Sequence, residues 1–182
     1  RLVGSVQKGP FILGTTVQVA ALDAQLDPTG QLFTGQTKND RGEFDLLCAA
    51  QGPAALEGSG YYYNEVLGGL SGAELTLRAF FVPAAMGTEQ RAYLNLVTHL
   101  TTPRIKALFL AGTGFEAAVV QAEAELFAAL DLTRDGFTPG TAGIGLNLLG
   151  GDTDDNAYLL GTSAVLLQAA VRRPGGSVEA NT

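Results

Sequence analysis

The chain has 182 residues, 46% of them hydrophobic and 16% charged, which is enough to bury one core, or two small ones, without disulfides. Its 18 Asp and Glu outnumber its 11 Lys and Arg, for a formal net charge of -7. This balance argues against nucleic acid as a partner, because phosphate binding needs clustered cations. The single cysteine, Cys48, excludes an internal disulfide and a metal site built from several cysteines.

The part of the chain before Pro83 alternates apolar and polar residues, with turn residues between the segments. Strands are predicted at residues 3–8, 15–22, 32–38, 43–48 and 74–82, with a further one through Tyr61, Tyr62 and Tyr63. Residues 27–30 (DPTG) and 39–42 (NDRG) are tight turns between them. About six or seven short strands at this spacing predict an antiparallel β-sandwich.

After Pro83, apolar residues recur at intervals of three and four, which predicts a helical unit of about four helices. The predicted helices start near Thr88, Thr102, Thr113 and Asp154 or Asp155. The last one runs to about Val171 and is apolar almost all round, which predicts a central helix or an oligomer interface. The glycine-rich residues 136–151 are predicted to form a long loop.

The sequence therefore predicts an α+β chain. Residues 1–83 form the β-sandwich, residues 84–172 form the helical unit packed on it, and residues 173–182 form a flexible tail rich in Gly, Pro and small polar residues. Because the chain starts at Arg1 without a secretory signal pattern, we expect either a removed leader or a fragment of a longer chain.

Three consecutive tyrosines are the first candidate binding site. Tyr61 and Tyr63, together with Asn64 and Glu65, offer aromatic faces beside amide and carboxylate groups, a combination that suits a sugar or a peptide. Side chains alternate along a strand, so Tyr62 is expected to point to the opposite face. The alternative is that the tyrosines are packing residues with satisfied hydroxyl groups.

A cluster of acidic residues before the last helix is the second candidate. Asp152, Asp154 and Asp155, followed by Asn156, provide oxygen ligands that a calcium ion could use. The cluster lacks the loop glycine and the distal glutamate of an EF-hand. Acidic residues at this position also satisfy free helix N–H groups and complement the helix dipole, so capping is the favoured interpretation.

Conventional catalytic groups are few. His99 is the only imidazole, and its surroundings suggest the end of a helix, where a cation is favoured; no acidic residue lies nearby in sequence to orient the ring. Cys48 is expected to be an inert packed thiol. The glycines of residues 140–145 do not match a nucleotide-binding loop.

The order of several segments resembles a known family. They are GSVQKGPFILGTTVQVAALDAQLDPTG, NDRGEFDL, GYYYNEVLGGLSG, LTLRAF, NLVTHLTTPRI, QAEAEL and DDNAYLL, within residues 3–171. The chain resembles uncharacterised bacterial cell-surface or secreted lipoproteins, whose N-terminal part is similar to carboxypeptidase-regulatory-like (transthyretin-like) sandwich domains. The resemblance implies an extracellular, cell-surface or periplasmic protein that meets the membrane only through a lipidated cysteine upstream of Arg1.

These observations favour a non-enzymatic cell-surface or secreted module that works by binding or assembly, without a cofactor. Its expected partners are proteins, further copies of itself in oligomers or filaments, or a surface glycan. One alternative is a hydrolase acting on glycans or peptides, or its accessory domain, with Asp152, Asp154 or Glu65 as carboxylates. The other is a calcium-dependent adhesive domain built on the acidic cluster.

Overall fold

A computed structural model of the chain describes residues 1–64, 68–132 and 141–172. This part contains nine strands, three α-helices and one 3-10 turn at Gly143–Gly145. The strands are β1 (Leu2–Val6), β2 (Thr16–Leu22), β3 (Pro28–Gln36), β4 (Glu43–Leu46), β5 (Ala54–Gly60), β6 (Tyr63–Asn64), β7 (Gly69–Leu70), β8 (Leu75–Phe81) and β9 (Gln90–Leu94). The helices are α1 (Leu96–Leu110), α2 (Phe115–Ala129) and α3 (Asp154–Val171).

The strands form three separate sheets. A three-stranded sheet has the order β4-β1-β9, a four-stranded sheet has the order β3-β2-β5-β8, and β6 pairs with β7 alone. The pairing of β1 with β9 is parallel, with Val3 opposite Arg91, whereas the other pairs are antiparallel. Strand β9 therefore joins a segment beyond Pro83 to the first strand of the chain.

One apolar cluster lies between the three-stranded and the four-stranded sheet. Val6 of β1 and Phe44 of β4 contribute from one side, and Val19, Leu56 and Leu77 contribute from the other. The alternation in β2 is typical of a strand, because the buried Val17 and Val19 are separated by the half-buried Gln18. Burying each such side chain stabilises the fold by about 1.5–3 kcal/mol.

Helix α1 begins with a capping box. The Asn95 side chain accepts a hydrogen bond from the backbone N of Thr98 at 3.0 Å, and Thr98 Oγ1 accepts one from the backbone N of Asn95 at 3.1 Å. The helix then crosses the outer face of the four-stranded sheet, where Ile105 and Phe80 belong to one cluster with residues of α2. Helix α1 thus covers the β8 side of this sheet, and α2 packs on α1.

The predicted sandwich followed by four helices is wrong, because the strands form sheets of three, four and two members and one strand lies in the region predicted to be helical. The segment that starts at Thr88 forms β9, in which alternate side chains are buried. Its partner β1 lies far away in sequence, so local periodicity misled the prediction. The helix predicted from Thr102 is the continuation of α1, with Pro103 in its interior.

The other two helices are close to their predicted bounds, but the cap of α2 and the surroundings of α3 differ from the prediction. Helix α2 follows Gly114 and has no side-chain cap, so the predicted capping box of Thr113 does not form. Helix α3 buries Tyr158, whereas Leu160 is 66% exposed, so α3 is a covering helix rather than a central one. The predicted tail lies outside the described residues. No helix in the described part combines the length and the hydropathy required to cross a membrane.

Candidate functional site

A cavity of about 520 Å³ lies on the outer face of the four-stranded sheet, beside α1. We name it the α1 groove. It is lined by Gln18, Ala20, Leu22, Leu26, Asp27, Pro28, Leu32, Ala55, Glu57, Arg78, Phe80, Thr102, Pro103 and Lys106. Helix α1 covers the β8 side of the sheet and leaves the β2 and β3 side open. A concavity of this size is typical of ligand sites.

The depth of the α1 groove comes from one row of side chains across the sheet. In this row Ala20 lies opposite Leu32 on one side and opposite Ala55 on the other, and Ala55 lies opposite Phe80. Two small side chains between two large ones leave a depression, because outward side chains stand roughly perpendicular to a sheet. The floor of the groove is therefore apolar.

Ion pairs stand at both ends of this floor. Glu57 and Arg78 lie opposite each other in register, and Arg78 Nε donates to Glu57 Oε2 at 2.9 Å. At the other end, Lys106 pairs with Asp27. Exposed pairs of this kind stabilise a fold by only about 0–1 kcal/mol. Because each of these charged groups is paired with another, the apolar floor is the surface that a ligand would contact.

His99 lies near the end of the groove that carries Glu57 and Arg78, and the charges of both residues act on its ring. Its pKa is lowered, first by burial and then by the positive charge of Arg78, so the ring is neutral at pH 7. The predicted position near a helix end that favours a cation is wrong, because the residue sits in the first turn of α1, after the Asn95 cap. In the described part of the chain, its Nδ1 has no hydrogen-bond partner.

Among the described residues that line the α1 groove, Thr102 is the one that carries a hydroxyl group. Its Oγ1 donates to the carbonyl oxygen of Thr98 at 2.8 Å, as is common for a threonine inside a helix. The carboxylates of the groove are paired with cations rather than with a hydroxyl. Within the described lining, no hydroxyl is paired with a base in the way that nucleophilic catalysis requires.

Strand β3 borders the open side of the groove and is an edge strand of its sheet. The backbone N of Thr37 donates to the carbonyl oxygen of Thr15, so alternation directs the backbone groups of Phe33 towards β2 and those of Leu32 and Thr34 away from it. No residue of β3 carries a charge, and Leu32 is 52% exposed. Most natural edge strands carry charges or bulges that prevent pairing. The pairing of β3 with β2 shifts register between Pro28 and Leu32, so the regular uncharged edge that is available for a further strand begins at Leu32.

The structure exposes Tyr61 and Tyr63 of the predicted tyrosine site and buries Tyr62, as the alternation along the strand predicts. Tyr61 and Tyr63 are 38% and 45% exposed, whereas Tyr62 is buried against Phe11, with ring centroids 5.6 Å apart. Asn64 is buried as well, so it does not join the two exposed rings at the surface. Glu65, the fourth predicted residue, lies outside the described residues.

The predicted calcium cluster lies at the start of α3. Asp152 and Asp154 are exposed, and Asp155 is half-buried. The cap itself is Thr153, whose Oγ1 accepts from the backbone N of Asn156 at 3.2 Å, and Asp154 and Asp155 occupy the first turn. Across residues 1–64, 68–132 and 141–172, no three His, Cys, Asp or Glu side chains converge as metal ligands would.

A buried carboxylate that the sequence reasoning missed lies beneath the 3-10 turn. Glu123 of α2 is 9% exposed, and its Oε1 accepts from the backbone N of Gly143 at 2.8 Å. Burial raises the pKa of Glu123 to about 7, partly offset by this hydrogen bond. Asn95 holds the same turn from the other side, because its Nδ2 donates to the carbonyl oxygen of Gly143 at 2.7 Å.

Gln7, which directly follows β1, holds Asn147 and Leu148 after the 3-10 turn. Its Nε2 donates to Asn147 Oδ1 at 2.6 Å, and its Oε1 accepts from the backbone N of Leu148 at 2.9 Å. Gln7 is fully buried, which requires such partners. The described part of the glycine-rich segment is therefore tied to β1, α1 and α2. No local pattern signals this network, because the partners of Gln7 lie about 140 residues further along the chain.

Comparisons of this chain with models of known families, with curated proteins and with solved structures find no significant match. The functional assignment therefore depends on the geometry of the chain itself.

Cys48 is half-buried at the edge of the main core. Of the predicted glycine loop, Gly143–Gly145 forms the 3-10 turn, and Gly140 lies outside the described residues.

Proposed function

We propose that this chain is a non-enzymatic binding and assembly module, in which a partner adds an extended strand to the free edge of β3 and places side chains over the α1 groove. The observation that carries the proposal is the position of an uncharged edge strand directly beside an apolar groove. Strand addition supplies backbone hydrogen bonds, and a pocket next to the edge receives alternate side chains of the added strand. Leu32 and Thr34 provide the outward backbone groups for this pairing.

The partner is a second copy of the chain. When two identical strands pair antiparallel about a two-fold axis, the residue on the axis meets its own copy and its neighbours lie within a few residues of theirs, so like charges near the axis would repel each other. Strand β3 avoids this repulsion because its nine residues are uncharged. The exposed Leu32 of one copy would then lie beside the groove of the other. Pairing of this kind closes on itself and produces a dimer rather than a filament.

The paired charges of the groove support binding rather than catalysis. Glu57 and Asp27 are each held by a cation, and His99 is neutral and placed in a helix. A carboxylate hydrolase and a calcium-dependent adhesive domain receive no comparable support, since Asp152 and Asp154 are exposed at a helix start. The extracellular or cell-surface setting of the module remains part of the proposal and depends on the family resemblance alone.

Sedimentation velocity tests this function with two matched variants. Leu32→Lys puts a charge on the β3 edge, and Val120→Lys puts the same charge on α2, at a side chain that is 67% exposed. The wild type and Val120→Lys are expected to form dimers at high protein concentration. Leu32→Lys is expected to weaken dimerisation by about tenfold or more, because like charges meet across the axis. A wild-type chain that stays monomeric at every concentration would overturn the proposal.

A further inference from the structure

The outer face of the three-stranded sheet carries a second concavity, of about 200 Å³, which we name the β1 trough. It is lined, among others, by Val3, Ser5, Lys38, Arg41, Arg91 and Tyr93. Its shape follows from the register of the sheet. Val3 lies opposite Arg91, and Ser5 lies opposite Tyr93, so two smaller side chains of the central strand lie beside two long ones of β9. A shallow channel results along β1.

The acidic side chains of this face already have partners. Glu43, which lines the trough, lies 3.5 Å from Arg41 Nε and accepts from Asn39 Nδ2 at 2.8 Å. Asp45 accepts from Arg1 Nε at 2.8 Å, and this arginine lowers the pKa of the Asp45 carboxyl group. Glu43 is therefore paired with Arg41, whereas Arg1 serves both Asp45 and Glu89, because its Nη1 donates to Glu89 Oε2 at 3.2 Å.

Two cationic side chains that line the trough are not part of an ion pair among the described residues. Lys38 and Arg91 form no ion pair with any described residue, and both are exposed. They lie on opposite sides of β1, since Arg91 belongs to β9 and Lys38 follows β3 beside the start of β4. In a chain with a net charge of -7, an excess of positive charge in one concavity indicates an anionic ligand.

The side chain of Tyr93 indicates which class of anion the trough binds. It lies two residues after Arg91 in β9, so both side chains project from the same face of the sheet. An aromatic ring beside an arginine provides an apolar surface for a sugar ring and a planar donor for its carboxylate. Asn147 and Leu149 of the loop after the 3-10 turn also line the trough, so its volume accepts one unit of a linked chain while further units extend over the exposed surface.

We infer that the β1 trough binds a carboxylated oligosaccharide of the uronic acid type, with Arg91 and Lys38 as the carboxylate-binding residues and Tyr93 as the stacking residue. This site is separate from the α1 groove, which lies on the other sheet. Its occupation therefore does not depend on self-association. Glycan binding at the trough and dimerisation through β3 can succeed or fail independently.

Isothermal titration calorimetry with hexagalacturonic acid tests the inference on the full chain. The variants are Arg91→Gln and Lys38→Gln in the trough, and Arg104→Gln as the matched control. Arg104 is exposed like Arg91 but pairs with Glu125 on the helices, and its replacement by glutamine changes the net charge by the same amount. Maltohexaose serves as the neutral probe and inorganic phosphate as the small anion. Circular dichroism confirms that each variant is folded.

The wild type is expected to bind hexagalacturonic acid, with an affinity that falls as salt is added. Arg91→Gln is expected to weaken binding by about tenfold or more, and Arg104→Gln by less than about twofold. Absence of wild-type binding would overturn the inference. So would equal losses in Arg91→Gln and Arg104→Gln, which indicate attraction to net charge alone. Maltohexaose or phosphate binding as tightly as the uronate would overturn the assignment of ligand class.

Discussion

The buried carboxylate of Glu123 contributes to the pH dependence of this protein's stability, and Glu123→Gln should remove that contribution. In the folded chain, the pKa of Glu123 is raised from 4.5 to about 7, mainly because the side chain is buried. Its Oε1 accepts from the backbone N of Gly143 in either protonation state, and a glutamine can accept the same bond. The substitution therefore removes the titration while it preserves the contact.

The sign and size of the effect follow from linkage between proton binding and folding. The native state binds the Glu123 proton more tightly than the unfolded chain does, so the contribution is fully present below pH 4.5 and is lost as pH rises through about 7. Each pKa unit corresponds to about 1.36 kcal/mol. The wild type should thus lose about 3 kcal/mol of unfolding free energy from this group between pH 4.5 and slightly above neutral.

Urea unfolding across this pH range measures the effect as the difference between wild type and Glu123→Gln. This difference cancels other titrations, including that of His99, whose lowered pKa acts in the opposite direction. Glu125→Gln is the matched control, because Glu125 is exposed and its pKa is lowered to about 2, so it titrates outside the range. If the difference between wild type and Glu123→Gln is as flat with pH as that of the control, the assigned burial of Glu123 is incorrect.

Three further predictions concern the same loop and the groove. Asn95→Ala should lower the unfolding free energy by about 1–3 kcal/mol in a denaturation curve, because it removes the cap of α1 and leaves buried carbonyl oxygens without their donor; an unchanged curve would refute that role. Gly143→Ala should lower the melting temperature in a thermal scan, since its Cβ would lie 2.8 Å from Glu123 Oε1; tolerance of the methyl group would show that the turn can shift. Ala20→Leu fills the floor of the groove and should weaken dimerisation in sedimentation by about tenfold, whereas Ala117→Leu on an exposed position of α2 should not.

Local patterns are sufficient to predict some elements of this fold. Strand β2 spans Thr16–Leu22 where the sequence predicts residues 15–22, because the alternation there is regular. The turn predicted at residues 27–30 is wrong, because the chain turns at residues 23–27 and β3 already begins at Pro28. Helix α3 spans Asp154–Val171, as its capping residues and its apolar run indicate. In both cases a strong local signal agrees with the tertiary environment.

Long-range pairing accounts for what the sequence could not show. The apolar spacing through Tyr93 and Leu96 is compatible with a helix. Residues 90–94 nevertheless form strand β9, because they pair in parallel with β1. An asparagine three residues before a threonine is a signal for the start of α1 that the prediction overlooked. The α1 groove arises because Ala20 and Ala55 meet across two strands, and their register cannot be read from either strand alone.

Amide hydrogen exchange in β3, measured by NMR at low and at high protein concentration, tests self-association most directly. The backbone N–H groups of Leu32 and Thr34 point away from β2 and should become protected only at high concentration, as a second copy pairs with them. The N–H of Phe33, which points towards β2, should be protected at both. Exchange at Leu32 and Thr34 that is independent of concentration would contradict assembly through this edge.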